Sequence, residues 1–456
     1  MLSRSAAFKY LNQNLFHLSS SNFLVSNRSL HSVMKFPPIA RLSPRIHRES
    51  IVLSRKLANI PAKPTILGIE SSCDDTAAAI VNAEGSVLGE HLISQSDAVL
   101  RHGGVLPLIA RDLHRKNIHS VVEHTFEKAN MSIHDVDAIA VTVKPGLVMS
   151  IMVGMEYAKE LCKNHNKLLI PVHHMKAHAL TVRLSNRNVQ FPFLTFLISG
   201  GHCILAIANS VDNFSILGQT LDDAPGEAFD KIARRLKAHN ISKCRNSSGG
   251  AIIEELAEGG NPTAFQFTEP LQQYRDCNFS FSGMKTQALR YIEKEEKKFE
   301  TEPDETIESI SDFCASFQMA VSLHLCRRLQ RAMEFVQLHH LLPANNLQLV
   351  VSGGTASNKY IRRAFEIVCS EKGYTLYVPS SRYCTDNGIM IAWNGVEKYL
   401  NNIDLLPADK IDDIEAEPRC PLGEDLTELV VKANIKCAWI KVAKKLIAND
   451  NTLIQT

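Results

Sequence analysis

The run TILGIESSCDDTAAAIV, Thr65 to Val81, decides how this chain is read. Two short apolar stretches, TILGI (Thr65 to Ile69) and AAAIV (Ala77 to Val81), flank the polar link ESSCDDT. Apolar runs of strand length on either side of a polar link predict a hairpin with a polar tip. Asp74 and Asp75 sit at that tip. They are either a solvated turn with Asx capping or a carboxylate pair facing a phosphate or metal.

Downstream of the hairpin, strands and helices alternate. Helical spacing runs from Leu106 to Ala129, DAIAVTV (Asp137 to Val143) reads as a buried strand, and Gly146 to Cys162 is helical again. LLIPV (Leu168 to Val172) is a strand and His173 to Leu184 a helix. A second series starts at FLTFLIS (Phe193 to Ser199) and CILAIA (Cys203 to Ala208). It continues through helices at Gly226 to His239 and Ile307 to Gln337, the strand LQLVVS (Leu347 to Ser352) and a helix near Lys359 to Ser370. Two such series predict an α/β protein throughout. The charge run Glu293 to Glu308 reads as a solvated loop or helix end. An amphipathic helix is expected over Asp425 to Leu446, with Leu426, Leu429, Val430, Ala433, Cys437 and Ile440 on one face.

Three segments hold residues suited to chemistry. FLTFLI and LQLVV each end in Ser-Gly-Gly, at Ser199 to Gly201 and Ser352 to Gly354. Small residues leaving a strand let backbone approach a ligand, and successive N–H groups can wrap an anion, although such turns are common. In HHMKAH, His174 and His178 are the one histidine pair at i, i+4 among 18 histidines. On a helix both imidazoles reach one metal ion, or are simply two residues of a polar face; two ligands leave a shell incomplete. Asp386 precedes an apolar helix in CTDNGIMIAW, as an N-cap or as a metal ligand.

Composition bounds the class. The chain has 456 residues, 45% hydrophobic and 21% charged, which is ordinary for a globular protein. Its formal charge of +2 averages two unlike parts. Met1 to Lys63 holds ten basic residues and one acid, a charge of +9. The remainder holds 40 basic and 47 acidic residues, a charge of −7. The first 48 residues contain no acid and seven Lys or Arg. That is the composition of an organelle transit peptide, with cleavage expected between about Arg41 and Lys63; the other reading is a basic arm that stays on. No run of 18 apolar residues occurs, so no membrane insertion is expected. The 11 scattered cysteines form no CxxC pair, which argues against a zinc knuckle or a secreted disulfide framework.

Taken together these segments resemble the tRNA N6-adenosine threonylcarbamoyltransferases, once labelled O-sialoglycoprotein endopeptidases. The resemblance runs from about Leu67 to Trp393, with motifs in family order. They are GIESSCDDTAAAI, GGVLPLIARDLH (Gly103 to His114), KPGLVMSIMVG (Lys144 to Gly154), HHMKAH, LISGGH (Leu197 to His202) and DDAPGEAFDKIAR (Asp222 to Arg234). SFSGMKT (Ser280 to Thr286), SGGTASNKYIR (Ser352 to Arg362) and CTDNGIMIA complete the set. The basic leader fits a mitochondrial branch, with a matrix location.

The resemblance implies the two-lobed actin-like ATPase fold of sugar kinases and heat-shock chaperones, with a nucleotide cleft between the lobes. It implies a transit peptide and leader over 1–63, one lobe over 64–185 and the other over 186–386. A helix over 387–400 would return to the first lobe, followed by an acidic linker and the C-terminal helix over 401–456. The family's metal ligands fall on His174, His178 and Asp386, holding one divalent ion per subunit (Fe, Zn or Mg). Its substrate contacts fall on Leu197, Ile198, Ser199, Gly200, Gly201, Asp230, Gly250, Glu254 and Asn358. The implied reaction moves a threonylcarbamoyl group from threonylcarbamoyl-adenylate to N6 of adenine 37 in tRNAs that read codons starting with A, releasing AMP. Asp75 is the implied candidate for the base. The implied partners are tRNA, a separate synthase that supplies the adenylate, and a second copy in a homodimer.

Some positions depart from the family pattern. Asp75 stands where Glu is more usual, and His173 and Lys176-Ala177 replace an Asn and a Glu-Gly. Asn246 to Ala251 (NSSGGA) replaces a Tyr-Pro-Gly-Gly-Pro segment. Rival readings are an actin-like ATPase or small-molecule kinase, a noncatalytic tRNA-binding partner, and a metalloprotease. The last lacks the HExxH helix that a zincin needs.

Overall fold

In the computed structural model, residues 63–453 are described, except 246. The expected leader lies outside the described residues, apart from Lys63.

The hairpin read from the sequence is present. Strands β1 (Thr65–Glu70) and β2 (Asp75–Asn82) pair antiparallel, and β3 (Val87–Ser94) extends them to a meander. Helices α1 (Ser96–His102) and α2 (Pro107–Ala129) follow, then β4 (Ala138–Lys144), α3 (Val148–His165) and β5 (Leu168–His173). The sheet runs β3-β2-β1-β4-β5, with β4 parallel to β1 and β5 parallel to β4. Helix α4 (His174–Leu180) leaves the end of β5.

The second series repeats this plan. It comprises β6 (Phe193–Ile198), β7 (Cys203–Ala208), β8 (Phe214–Gln219), α5 (Pro225–Arg235), α6 (Gly249–Leu256), α7 (Ser282–Phe299) and α8 (Ile310–Leu338). Strand β9 (Gln348–Ser352), helix α9 (Lys359–Lys372) and strand β10 (Thr375–Tyr377) complete it. Its order, β10-β9-β6-β7-β8, is the first sheet's order read from the other edge, with the same parallel and antiparallel pairs. Two lobes of one topology are the actin-like arrangement.

Each lobe has its own core. Ile118, Val121 and Val122 of α2 and Val153, Met155 and Ala158 of α3 pack on β1 and β4 in the first. In the second, Phe313, Phe317, Leu325 and Leu329 of α8 meet Phe196 of β6 and Phe365 of α9. Each fully buried side chain of this size contributes about 1.5–3 kcal/mol. Helix α10 (Gly388–Leu400) crosses β1, β2, β4 and β5 of the first sheet. The approach is close enough that a Cβ on Gly68 would strike the backbone of Ala392, and one on Gly388 that of Ala78.

Some elements differ from the sequence reading. The helix expected over Asp425–Leu446 is broken into α11 (Thr427–Ala433) and α12 (Val442–Leu453). Asn434 ends α11 in a left-handed conformation. Gln330 of α8 then holds the next stretch extended, donating to the Ala438 carbonyl at 2.9 Å and accepting from the Ile440 N–H at 3.1 Å. The helix expected to reach His239 stops at Arg235, because Lys237 is left-handed (φ 56°). The first turns of the Glu293 to Glu308 run belong to α7, and Glu296 there pairs with Arg235 and Lys237.

Residues 401–425 run along both lobes. Leu406 exchanges backbone hydrogen bonds with Leu169 of β5, and Ile411 is fully buried in the first core. The Glu417 N–H bonds the Val143 carbonyl. The segment then adds β11 (Glu424–Asp425) parallel to β8 of the second lobe.

Candidate functional site

Helix α4 begins where β5 leaves the sheet, so His174 and His178 stand one turn apart on one face. Their rings are 4.7 Å apart and nearly perpendicular. Asp386 comes from the turn before α10. The N-cap of that helix is Asn387, whose side chain accepts from the Met390 N–H at 2.8 Å. Asp386 is therefore not the cap, and its Oδ1 lies 3.0 Å from His178 Nε2 and 3.4 Å from His174 Nε2. One ligand atom from each of the three lies within 4.8 Å of the others, and both histidines are buried.

A second layer orients the histidine. His174 Nδ1 faces the Ser72 hydroxyl at 3.1 Å and Glu70 Oε2 at 3.3 Å. Glu70 is 1% exposed and also accepts from the Ser72 N–H and the Thr142 hydroxyl, both at 2.5 Å. Burial disfavours a charge on His174, but the carboxylates of Asp386 and Glu70 overcome it and raise its pKa well above the ordinary value. Burial likewise opposes charge on Asp386, and His174 and His178 hold it well below the usual range. The field here favours positive charge, and two imidazole nitrogens with one carboxylate oxygen are a donor set for a divalent cation. The residues fit a metal.

The neighbours of this cluster divide into structural and exposed groups. His173, a departure from the family pattern, is pushed down to about 3 by burial and faces the Cys420 carbonyl at 3.3 Å. Lys176 is largely buried and donates to the Asp212 carbonyl and carboxylate, both at 2.8 Å. His202, which sequence reasoning passed over, is pushed down to about 4 by burial and by the charges of His174 and His178. Its place directly after the Ser-Gly-Gly turn was the available signal.

At the hairpin tip, Asp75 opens β2 opposite Ser94. Burial raises its pKa to about 7; Ser94 works against the shift, while Asp74, Asp386 and Glu70 add to it. Its Oδ1 is buried without a hydrogen-bond partner among the described residues. His114, fully buried on α2, braces the tip: Nδ1 lies 2.8 Å from the Thr76 hydroxyl and Nε2 3.1 Å from the Cys73 carbonyl.

A cavity of about 250 Å³ holds five of the other candidates. Gly200, Asp230, Gly250, Glu254 and Asn358 line it, together with Gly226, Thr355, Ser357 and Thr385, which the sequence reading did not select. Asp230 accepts from the Gly249 N–H at 2.8 Å, at the start of α6. Gly249 has no room for a side chain, since a Cβ there would strike Asp230. Glu254 accepts from the Lys359 N–H at 2.6 Å, and Asn358 caps α9 while donating to Gln318 at 2.8 Å. These residues therefore shape helix starts as well as the cavity. Thr385, beside Asp386, joins the cavity to the histidine cluster.

Not all predicted contacts converge. Leu197 and Ile198 are fully buried, Ile198 in the core of the second lobe and Leu197 in a cluster shared with Met175, Ala179 and Leu180 of α4. Within the turn, the Ser199 N–H bonds the His202 carbonyl and the Gly201 N–H bonds the Ser199 hydroxyl. A larger cavity of about 600 Å³ shares Glu254 but contains none of the other predicted site residues. Convergence of side chains, rather than volume, marks the 250 Å³ cavity as the functional candidate.

Comparisons with known proteins follow the same lines. The family model for TsaD, tRNA N6-adenosine threonylcarbamoyltransferase, matches residues 86–393. The chain is 47% identical over 377 residues to "tRNA N6-adenosine threonylcarbamoyltransferase, mitochondrial" of Rattus norvegicus, covering 83% of this chain and 90% of that one. The protein of the same description from Homo sapiens is 46% identical, with the same coverage. The "Probable tRNA N6-adenosine threonylcarbamoyltransferase, mitochondrial" of Drosophila melanogaster is 44% identical, covering 82% and 93%. Among solved structures, T. kodakarensis HypF is similar at 12% identity and TM-score 0.45, covering 74% of this chain and 47% of that one.

Proposed function

This chain belongs to the tRNA N6-adenosine threonylcarbamoyltransferase family, and on that premise we propose how its residues divide the work. It is an enzyme, an acyltransferase of tRNA modification. We infer that its donor is threonylcarbamoyl-adenylate and its acceptor N6 of adenine 37, in mitochondrial tRNAs that read codons starting with A. The observation that carries this is the His174, His178 and Asp386 cluster, joined through Thr385 to the cavity of Asp230, Glu254 and Asn358.

In this reading Asp230 and Glu254 each keep one carboxylate oxygen for a ribose hydroxyl, the other being held by a backbone N–H. Gly200 and Gly250, where a Cβ would meet no atom within 4 Å, leave space for the phosphate. Leu197, Ile198, Ser199 and Gly201 fix the path of that turn. His174, His178 and Asp386 would hold one divalent ion (Fe, Zn or Mg), the two imidazole nitrogens suiting Fe or Zn better than the oxygen-preferring Mg. When bound, such an ion supplies a Lewis acid for the carbamoyl oxygen.

The acyl transfer balances as follows. The N6–carbamoyl carbon bond forms, the carbon–oxygen bond to the phosphate breaks, and AMP leaves with that electron pair. The amine proton passes to Asp75, whose pKa near 7 suits a base at neutral pH.

The relatives named as mitochondrial support the mitochondrion as the compartment. The basic leader adds the matrix, reached by a transit peptide within 1–63. We read 64–185 with 387–400 as one lobe, 186–386 as the other and 401–456 as a C-terminal extension. A separate synthase supplies the adenylate, and the chain works as a homodimer. No helix among the described residues is long and apolar enough to cross a membrane.

The test is reconstitution. Purified chain, with adenylate and unmodified tRNA, should form threonylcarbamoyladenosine. His174→Ala combined with His178→Ala should abolish metal retention and most turnover. Absence of product with adenylate, alongside turnover of ATP with a sugar, would move the assignment to a kinase.

A further inference from the structure

The body of the chain, residues 64–456, carries a charge of −7, yet its substrate is a polyanion. Affinity for RNA phosphates must then come from a local basic surface. The arginine clusters do not supply it. Arg235 and Lys237 share Glu296, Arg327 pairs with Glu269, and Arg328 pairs with Asp276. The C-terminal extension is unlike the rest. Residues 427–448 hold five lysines and one acid, Glu428, a charge of +4, which leaves −11 for the remainder of the body. All five lysines are exposed. Lys432 pairs with Glu428 and Lys445 with Glu371. Lys436, Lys441 and Lys444 have no carboxylate within ion-pair distance among the described residues.

The fold turns these charges outward together. Helix α12 buries Val442 and Leu446 in the core of the second lobe. At 3.6 residues per turn that places Lys444 and Lys445 on its opposite side, with Lys441 just before the helix in line with them. The stretch that carries Lys436 is held by Gln330, through its bonds to the Ala438 carbonyl and the Ile440 N–H. The face also lies near the cleft. Ile447, three residues beyond Lys444, lines the 600 Å³ cavity together with Glu254, and Glu254 lines the 250 Å³ cavity as well. The larger cavity is mixed in charge, with Glu258 and Asp312 beside Lys359, so it separates the lysine face from the cleft rather than holding phosphate itself.

We propose that the lysine face of residues 436–445 grips the phosphate backbone of the tRNA while the acceptor adenine lies in the cleft. The inference rests on the tRNA reading above. Lysine contacts to phosphate fix position and carry no base readout, so one such face serves every tRNA substrate alike. An anionic lipid surface is the other polyanion that lysines meet, but an interfacial helix needs an apolar side turned outward. Helix α12 turns Val442 and Leu446 into the core instead. The face lies outside the 86–393 family match, so it is a contact made by the C-terminal extension of this chain.

The experiment measures binding of an unmodified tRNA transcript to the full chain by fluorescence anisotropy across a salt series. The triple variant Lys436→Gln, Lys441→Gln, Lys444→Gln should reduce the log–log salt slope by about 3, one for each phosphate contact. Its affinity at low salt should fall about tenfold or more. The same three positions changed to Arg should restore both, which separates charge from any effect on folding. A control that removes two exposed charges elsewhere, Lys294→Gln with Lys298→Gln, should leave the slope as it was. An unchanged slope in the triple variant would overturn the proposal, and so would an equal fall per charge in the control. Loss of binding to phosphatidylglycerol vesicles with tRNA binding intact would overturn it too, in favour of a lipid surface. Adenylate-dependent transfer by the unsubstituted chain tests the parent reading separately. Transfer present with tRNA affinity unchanged in the triple variant removes only this inference.

Discussion

The Glu70 carboxylate lies 3.3 Å from His174 Nδ1, on the opposite side of the ring from Asp386. An ionised carboxylate can only accept, so it fixes the imidazole proton on Nδ1 and leaves Nε2 free to bind a metal. Glu70→Gln keeps the volume and removes that charge. Metal affinity should fall about 10- to 100-fold, read by competition with a chromogenic chelator. An unchanged affinity would show that Ser72 alone orients the ring.

Asp75 gives the hairpin tip a pH signature. Its pKa rises on folding from 3.8 to about 7, so between those values the folded chain binds the proton more tightly than the unfolded chain. Its contribution therefore favours folding at low pH and is lost as pH rises towards 7, with a slope of at most about 1.4 kcal/mol per pH unit. Asp75→Asn should flatten that part of the stability profile in urea titrations at pH 5 to 8, and should abolish most transfer activity. A profile identical to that of the unsubstituted chain would mean that the carboxyl is solvated.

Gly249→Ala forces a Cβ into Asp230, whose carboxylate accepts from the Gly249 N–H. Overpacking of this kind costs about 1–3 kcal/mol. Since the displaced group lines the cavity, the Michaelis constant for adenylate should rise severalfold while metal content holds. Steady-state kinetics paired with metal analysis separate this from general misfolding.

Ile411 belongs to the C-terminal segment but is buried in the first lobe's core. Ile411→Ala should destabilise the protein by about 2–5 kcal/mol and expose 401–423 to limited proteolysis. Resistance equal to that of the unsubstituted chain would show that the backbone bonds of Leu406 and Glu417 suffice.

Much of this architecture was readable because β1, β4, β5, β6 and β9 are short, mostly apolar runs buried over most of their length, which stand out from helical periodicity. Strand β3 was harder. Leu88 and Leu92 are exposed at the sheet edge, and Gly89 interrupts the pattern. The metal cluster was half legible: i, i+4 spacing paired His174 with His178, while Asp386, 208 residues beyond His178, needed the family motif. Local grammar favoured Asp386 as a cap, and only the structure shows Asn387 in that role. The C-terminal helix failed for a tertiary reason, since nothing local in 434–441 reveals that Gln330 will grip its backbone.

The path of residues 388–425 has a bearing on the order of assembly. The helix across the first sheet, the partner of Leu169 and the plug at Ile411 all come from the last seventy residues, although β1 begins at Thr65. A ribosome or an import channel delivers the N-terminal strands long before these pieces. The early strands must therefore wait with an uncovered apolar face until almost the whole chain has emerged. A lobe built this way has reason to depend on a chaperone while it waits.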